Sequence, residues 1–248
     1  MGGKPTAKTA AALIVGNELL SGKVQDENVI ALARTLSEMG VRLRRVVMVA
    51  DDVDVIAAEV SALARSHSVV FTSGGVGPTH DDVTVEGVAR AFGASVVSSP
   101  HMESMLRAHY GERCTEGHLR MALVPEGAEL VSNAEVKWPT IVMRNVWLLP
   151  GIPEVFLMKL ALIRERIEGG APWLSRAVFT KMEEGDLKPL LDRVVAMHVD
   201  VEVGSYPKWS DPTYRTKLTF DGHDRAAIER ALAFFLSLLP DSEPQSVD

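Results

Sequence analysis

One glycine-rich segment most constrains the fold of this chain, because it joins an apolar run of strand length to a helical pattern. The run Ser68–Phe71 has the pattern of a buried strand, and apolar residues recur at helical spacing from Val85 to Phe92. The segment between them contains Gly74, Gly75, Gly77, Pro78, Thr79, Asp81 and Asp82. A strand, a glycine turn and a helix start bring backbone N–H groups together at a place that suits an anion. Because glycine has no Cβ, a ligand can approach this backbone closely.

Two adjacent carboxylates, Asp81 and Asp82, end this segment. They would repel a phosphate directly, so they fit better as ligands of a divalent metal that bridges to the phosphate, or as a base that activates water. The alternative is an ordinary strand-to-helix turn in which an aspartate caps the helix. Three glycines, a Pro-Thr pair and two acids are more than such a turn needs, which favours a phosphate site.

Strand and helix patterns alternate through the first part of the chain. The strand patterns are Thr9–Val15, Val41–Val49 and Ser68–Phe71, and helical spacing runs from Val29 to Met39 and from Val55 to Ala64. This alternation predicts a mainly parallel sheet with helices on its faces. Ligands of such sheets bind beyond the carboxyl ends of the strands. Two more polar turns, Gly16–Glu18 and Ala50–Asp52, are expected at that edge beside the glycine-rich segment.

The chain also contains a boundary between two domains. Two further strand patterns, Thr140–Met143 and Asn145–Leu149, precede a Pro-Gly-Ile-Pro corner and a helix, and the clearest linker follows at residues 169–172. We therefore predict a first α/β domain over residues 1–170. A strand-helix-strand-strand-helix order predicts a small α+β domain over residues 171–240, in which Gly204–Lys208 has the pattern of a ligand-binding loop. The polar residues 241–248 are expected to be a disordered tail.

Composition excludes several classes of function. The formal net charge of −7 argues against a nucleic-acid surface, which needs a basic face. The single cysteine, Cys114, rules out an intrachain disulfide and favours a reducing compartment. No apolar run has the length of about 18 residues that a membrane span needs. We therefore expect a cytoplasmic protein that binds neither nucleic acid nor membrane.

Several motifs resemble the molybdopterin-binding domain, and more narrowly the amino-terminal part of the competence/damage-inducible protein A (CinA) family. The resemblance covers nearly the whole chain. The residues that carry it are Gly16-x-Glu18-Leu19-Leu20-x-Gly22-x-x-x-Asp26-x-Asn28, Asp51-Asp52, Gly74-Gly75-x-Gly77-Pro78-Thr79-x-Asp81-Asp82-x-Thr84, Arg120-Met121-Ala122-x-x-Pro125-Glu126-Gly127-Ala128, Leu149-Pro150-Gly151-Ile152-Pro153 and Gly204-Ser205-Tyr206-Pro207.

The resemblance implies a three-layer α/β/α domain that often assembles as a homo-oligomer, with a small appended domain. Members of the subgroup are described as metal-dependent ADP-ribose pyrophosphatases, related domains hydrolyse FAD, and more distant ones bind or adenylylate molybdopterin. By position, Asp51, Asp81 and Asp82 are the implied catalytic residues, with Asp81 and Asp82 as ligands of Mg²⁺, Mn²⁺ or Co²⁺. The residues assigned to substrate and phosphate binding are Gly74, Gly75, Gly77, Pro78, Thr79, Glu18, Asn28, Gly151, Tyr206 and Lys208.

The chain departs from the family pattern in one segment. Members usually carry a Gly-x-Ala-Pro-Gly sequence after the asparagine that matches Asn133, whereas this chain reads Ala134-Glu135-Val136-Lys137-Trp138-Pro139-Thr140. The missing glycines alter a part of the ligand pocket that the backbone builds. Our first hypothesis is hydrolysis of a nucleotide pyrophosphate bond. The alternative is a module that binds molybdopterin or a nucleotide without turnover, and nucleotidyl transfer to molybdopterin is a third, weaker hypothesis.

Overall fold

The chain forms two compact units, the first ending at Gly170 and the second running from Ala171 to Asp248, and the computed structural model describes residues 8–248. The strands of the first unit are β1 (Thr9–Val15), β2 (Arg42–Val49), β3 (Val69–Ser73), β4 (Val96–Ser98), β5 (Leu123–Pro125), β6 (Glu129–Val131), β7 (Thr140–Met143) and β8 (Val146–Leu149). Its helices are α1 (Asn17–Leu20), α2 (Asn28–Glu38), α3 (Val53–Ser66), α4 (Thr84–Ala91), α5 (Pro100–Tyr110), α6 (Glu116–Arg120) and α7 (Pro153–Arg166), with a short 3-10 helix at Gly111–Arg113.

The first unit is built on a six-stranded sheet in the order β2-β1-β3-β8-β7-β6. Strands β1, β2, β3 and β8 pair in parallel, whereas β7 is antiparallel to β8 and β6 is antiparallel to β7. Strands β4 and β5 form a separate antiparallel pair. The predicted mainly parallel sheet is therefore confirmed, and the antiparallel part comes from the short hairpin between β7 and β8.

Strand β1 shows why the sheet has a helical layer on each face. Its alternate residues Ala10, Ala12 and Ile14 belong to a buried cluster with residues of α2 and α7. Ala11, Leu13 and Val15 belong to another with residues of α3 and α4. A strand buried on both faces has a continuous apolar sequence, and Thr9–Val15 has such a sequence. The three-layer α/β/α architecture follows.

The second unit has one antiparallel sheet and two helices. Its elements are β9 (Leu174–Thr180), α8 (Glu184–Met197), β10 (Glu202–Pro207), β11 (Thr216–Gly222), α9 (Arg225–Leu236) and β12 (Ser246–Val247). The strand order is β10-β11-β9-β12. Its own core contains Val178, Leu187, Phe220, Ile228 and Phe235. The small α+β fold predicted for this part of the chain is confirmed.

Two expectations for the second unit were wrong. Gly204–Pro207, predicted as part of a loop, belongs to β10, where Tyr206 pairs with Lys217 of β11. Strand β10 lies at one end of the sheet, where glycine and proline are tolerated because few ladder hydrogen bonds are lost there. The tail expected to be disordered contains β12, and Asp248 exchanges two backbone hydrogen bonds with Ala177, at 2.9 and 3.3 Å. The backbone of the tail pairs with the edge of β9, although the polar sequence of the tail has no strand pattern.

Within residues 8–248, every helix is too short or too polar to cross a membrane.

Candidate functional site

The carboxyl ends of the parallel strands meet at one edge of the first unit, as the sequence predicts. The N–H of Gly16, after β1, donates to the Val49 carbonyl of β2 at 3.1 Å. The N–H of Gly74, after β3, donates to the Leu149 carbonyl of β8 at 3.1 Å. A Cβ on Gly151 would lie 3.3 Å from the Cα of Gly74. The turns after these four strands therefore form one continuous edge.

The glycine-rich segment is fixed by two backbone positions that only glycine fits. Gly74 and Gly75 have φ angles of +100° and +67°. A Cβ on Gly74 would lie 2.2 Å from the Val15 carbonyl oxygen, and one on Gly75 would lie 2.3 Å from Thr84 Oγ1. The buried Thr84 hydroxyl donates to the Gly74 carbonyl at 2.8 Å, and its N–H donates to the Gly75 carbonyl at 2.9 Å. The turn is thus tied to the first residue of α4.

Asp82 is folded back onto the glycine-rich segment. The N–H of Thr79 donates to Asp82 Oδ2 at 2.7 Å, and the Thr79 hydroxyl donates to the same oxygen. Space for this carboxylate exists because a Cβ on Gly77 would lie 2.7 Å from Oδ2. Gly77, Thr79 and Asp82 therefore form one local unit with a fixed carboxylate.

Asp81 is more exposed to solvent than Asp82. Its side chain is exposed, and His80 Nδ1 lies 3.9 Å from its Oδ1. The pKa of Asp81 lies below its usual value, chiefly because of the Thr79 side chain and next because of the backbone N–H of Asp81 itself. The Thr79 hydroxyl has one proton to donate, and its hydrogen-bond geometry gives that proton to Asp82. Asp81 is an anion near neutral pH in either arrangement.

Three other predicted site residues position this edge. The Asn28 side chain is buried at the start of α2, and its amide donates to Ser73 Oγ at 2.9 Å and to the Gly151 carbonyl at 2.8 Å. Asp51 Oδ2 accepts the N–H of Asn17 at 2.8 Å. The Glu18 carboxylate lies over Gly16, since a Cβ there would be 2.5 Å from Glu18 Oε1.

A cleft beside Asp82 is lined by two further charged residues, Glu86 and Arg120, whose place in the site was not predicted. Its lining residues are Val76, Gly77, Asp82, Val85, Glu86, Arg120, Met121, Leu123 and Ile141. Arg120 ends α6, and its Nη2 lies 3.8 Å from Glu86 Oε1 on α4. Helix α6 also approaches the glycine-rich segment, since a Cβ on Gly117 would lie 4.0 Å from the Pro78 carbonyl oxygen. Only the fold brings these parts of the chain together.

Tyr206 and Lys208, also assigned to ligand binding, belong to the second unit. The Tyr206 side chain is exposed on β10. Lys208 Nζ donates to Asp211 Oδ2 at 3.0 Å and lies 5.4 Å from the Tyr214 ring centroid. The pKa of Lys208 is raised, chiefly by Asp211, and the pKa of Asp211 is lowered to about 2, chiefly by the Thr213 hydroxyl. Lys208 is therefore paired with a carboxylate of its own unit.

The acidic residues offer a small set of metal donors. Residues 8–248 contain no group of three or more His, Cys, Asp and Glu side chains arranged to hold a metal ion. Mg²⁺ is commonly bound through one or two carboxylates together with water and substrate phosphate oxygens. Asp81 and Asp82 are adjacent carboxylates of the glycine-rich segment, and no third such donor joins them among residues 8–248.

Both units match families of known proteins. Residues 11–168 match the model of the probable molybdopterin binding domain, and residues 172–248 match that of the FAD synthase middle domain. A protein of Archaeoglobus fulgidus is 35% identical over 92% of this chain and 96% of its own length. A probable FAD synthase of Caenorhabditis elegans is 28% identical over 95% of this chain, which spans 50% of that relative. The crystal structure of the protein CinA, of unknown function, from Thermoplasma acidophilum is 30% identical, with a TM-score of 0.59 over 64% of this chain and 97% of that one.

Proposed function

The chain belongs to the molybdopterin-binding domain family, in its CinA-like branch, and on that premise we propose that it hydrolyses the pyrophosphate bond of a nucleotide such as ADP-ribose or FAD. The observation that carries the proposal is the fixed carboxylate of Asp82, which lines a cleft and is held over Gly77 by Thr79. The relatives named probable FAD synthases favour a nucleotide as the ligand.

The backbone at this edge supports the binding of a phosphate. Helix α4 begins directly after the glycine-rich segment, and the preceding residue, Val83, gives it no side-chain cap. The first N–H groups of a helix lack partners within the helix and favour an anion. Two glycines with positive φ shape the turn that leads to this helix. A phosphate of the substrate would bind there, with its oxygens accepting from backbone N–H groups.

The adjacent carboxylates favour a reaction that uses a divalent metal. Asp81 and Asp82 would repel the substrate's phosphates if no cation were present, and these carboxylates are the residues that would hold Mg²⁺, Mn²⁺ or Co²⁺. Such a metal, when bound, neutralises charge on the phosphoryl oxygens and lowers the pKa of a bound water. Thr79 keeps Asp82 in one orientation, which such an arrangement requires.

The reaction adds one water across the pyrophosphate. The oxygen of that water bonds to one phosphorus, the bridging P–O bond breaks, and the bridging oxygen leaves with the other phosphate. A carboxylate of the Asp81–Asp82 pair accepts the proton that the attacking water loses. ADP-ribose would yield AMP and ribose 5-phosphate, and FAD would yield AMP and FMN.

A second function has support in the family match. A non-catalytic module for molybdopterin or a nucleotide would use the same backbone N–H groups, because binding a phosphate and cleaving it need the same donors. Molybdopterin carries a phosphate, and the first unit matches the probable molybdopterin binding domain. Turnover separates the two functions.

The test is release of AMP from ADP-ribose, FAD and NADH by the full chain, with Mg²⁺, Mn²⁺ or Co²⁺ and with chelator. We expect metal-dependent release that Asp82→Ala abolishes, in a variant shown by circular dichroism to be folded. Asp192→Asn is the control, because this exposed aspartate pairs only with Lys188 of the second unit among its described contacts. Binding of nucleotide or pterin without turnover of any substrate would leave the non-catalytic module as the function.

A further inference from the structure

The cleft next to Asp82 has an unusual balance of charge. Among the residues described as lining it, Asp82 and Glu86 are acidic, Arg120 is the one cation, and the others are apolar or glycine. An anionic ligand placed beside Asp82 meets repulsion unless a positive group lies on the other side. Arg120 lies on that cleft and supplies a planar guanidinium cation.

The contact between Arg120 and Glu86 is loose. Nη2 and Oε1 are 3.8 Å apart, near the limit for an ion pair and beyond the distance of a good hydrogen bond. The two side chains are 40% and 31% exposed, so water screens their attraction. Such pairs add little to stability. Glu86 therefore keeps the guanidinium near the cleft without occupying its five donors.

The backbone that carries Arg120 is well fixed. Thr115 caps α6 by accepting the His118 N–H at 3.3 Å, and the His118 ring accepts the Thr115 N–H at 3.1 Å. After Arg120, the buried Ala122 donates to the Leu119 carbonyl at 3.0 Å and accepts the Ser99 N–H at 2.8 Å. The backbone at Arg120 is thus held on both sides, while its guanidinium makes only the loose contact with Glu86.

We propose that Arg120 binds a phosphate group of the ligand where its guanidinium borders this cleft, and that Glu86 holds the guanidinium there until the phosphate displaces the carboxylate. The cleft itself has a volume of about 20 Å³, little more than one water molecule needs, so the phosphate lies at its opening to solvent. A phosphate offers several oxygens to the planar donor fork of arginine, so the new contact is bidentate. The loose ion pair with Glu86 offers one carboxylate at a longer distance. The inference rests on the proposed function only in that the ligand carries a phosphate; it does not require hydrolysis.

Substitutions of Arg120 and of Glu86 should change the affinity for ADP-ribose in opposite directions. Arg120→Met keeps most of the apolar stem and removes the charge, so ADP-ribose should bind about ten- to a hundredfold more weakly. Glu86→Gln removes the competing anion and should strengthen binding about two- to fivefold. Arg120→Lys should lie between Arg120→Met and the wild type, because a single ammonium cannot make the bidentate contact. Adenosine, which has no phosphate, should bind all four proteins alike.

The experiment is calorimetric titration of the full-length wild type and variants with ADP-ribose, and with adenosine as the phosphate-free probe. Arg90→Met is the control, because Arg90 also pairs with a carboxylate of the first unit, that of Asp54, and does not line the cleft. The inference would be overturned if Arg120→Met lost affinity for ADP-ribose and adenosine equally, or lost affinity for neither. Failure of the wild type to bind ADP-ribose would also overturn it.

Turnover assays separate this inference from the proposed reaction. If ADP-ribose binds through Arg120 and is never cleaved, the inference holds and the hydrolase proposal fails. If ADP-ribose is cleaved with the same KM and kcat in Arg120→Met as in the wild type, the hydrolase proposal holds and the inference fails. If both are right, Arg120→Met should mainly raise KM, because the contact is already made with the bound substrate.

Discussion

At the scale of single residues, Gly77 decides where the Asp82 carboxylate can lie. Gly77 lacks a positive φ, so an alanine there would not strain the backbone, and the only severe contact of its Cβ is with the Asp82 carboxylate, 2.7 Å from Oδ2. The side chain of Asp82 would have to leave its hydrogen bonds with Thr79. The position of the Asp82 carboxylate therefore depends on the absence of a Cβ at Gly77.

Gly77→Ala should lower the kcat/KM of pyrophosphate hydrolysis at least about tenfold, because a displaced catalytic group loses its orientation. Thermal unfolding should change little, since the Asp82 side chain is only half-buried and can turn toward solvent. Gly185→Ala is the control, because a Cβ there meets nothing within 4 Å. Full activity in Gly77→Ala would show that the observed orientation of Asp82 is not the working one.

Two buried threonines near the site differ in what their hydroxyls do. Thr72 Oγ1 on β3 has no hydrogen-bond partner among the described residues, whereas the Thr84 hydroxyl donates to the Gly74 carbonyl at 2.8 Å. Thr72→Val should raise the free energy of unfolding by about 1 kcal/mol, and Thr84→Val should lower it by about 1–2 kcal/mol. Urea denaturation of both variants tests this, and changes of the same sign would contradict it.

Lys159 on α7 is a buried cation, only 3% exposed, whose Nζ donates to the Trp138 carbonyl. Burial lowers the pKa of this ammonium from 10.5 to about 8. Below pH 8 the folded protein holds a charge that costs free energy. Between pH 8 and 10.5 the unfolded chain binds more protons than the folded one, so this group's contribution to stability rises with pH.

Lys159→Met should remove that pH dependence. Between pH 8 and 10.5, the unfolding free energy of the wild type should therefore rise relative to that of the variant by up to about 3 kcal/mol. Urea titrations of both proteins at several pH values measure the difference directly. A difference that stays constant from pH 7 to 10.5 would mean that Lys159 titrates as an exposed lysine does.

At the scale of secondary-structure elements, β12 forms part of the second sheet. The Ala177 N–H of β9 donates to the Asp248 carbonyl at 3.3 Å, so residues at the end of the chain protect this β9 amide from exchange with solvent. A chain ending at Pro240 should show faster hydrogen exchange at Ala177, while amides of the central strand β11 keep their protection. Unchanged exchange at Ala177 would mean that β12 contributes nothing to this edge.

The elements that the sequence predicted well are those whose side chains are buried on both faces. Strands β1 and β3 have continuous apolar sequences, and the glycine-rich turn is fixed by local steric limits at Gly74 and Gly75. Strand β12 and the Gly204–Pro207 part of β10 escaped prediction because their pairing, not their composition, makes them strands. The position of Arg120 beside Asp82 depends on contacts between distant segments, which periodicity does not encode.

At the scale of the whole molecule, an apolar surface beside β2 favours the homo-oligomer that the family resemblance implies. Val46 and Met48 of β2 are exposed and in register with Ala12 and Ile14 of β1. They therefore face the same side of the sheet as α2, on which Ile30 is also exposed. Exposed apolar side chains that lie together are typical of contacts between subunits.

The full chain should therefore sediment as a dimer or larger oligomer in analytical ultracentrifugation. The double variant Val46→Glu, Met48→Glu should sediment as a smaller species, because charge on an apolar contact opposes association. Val199→Glu is the control, since this exposed valine lies in the second unit. A wild type that is monomeric at every concentration would exclude this surface as an interface.

The buried amide of Asn28 has a consequence for the speed of binding. It joins the start of α2 to Ser73 and Gly151, so the turns after β3 and β8 cannot separate unless one of these two hydrogen bonds breaks. A ligand should meet a surface that is already assembled, with no slow closing step before capture. Stopped-flow mixing should therefore give one exponential phase whose rate rises linearly with ligand concentration and is limited by diffusional encounter. Asn28→Ala should add a second phase whose rate becomes constant at high ligand concentration, because rearrangement of the freed turns then limits binding.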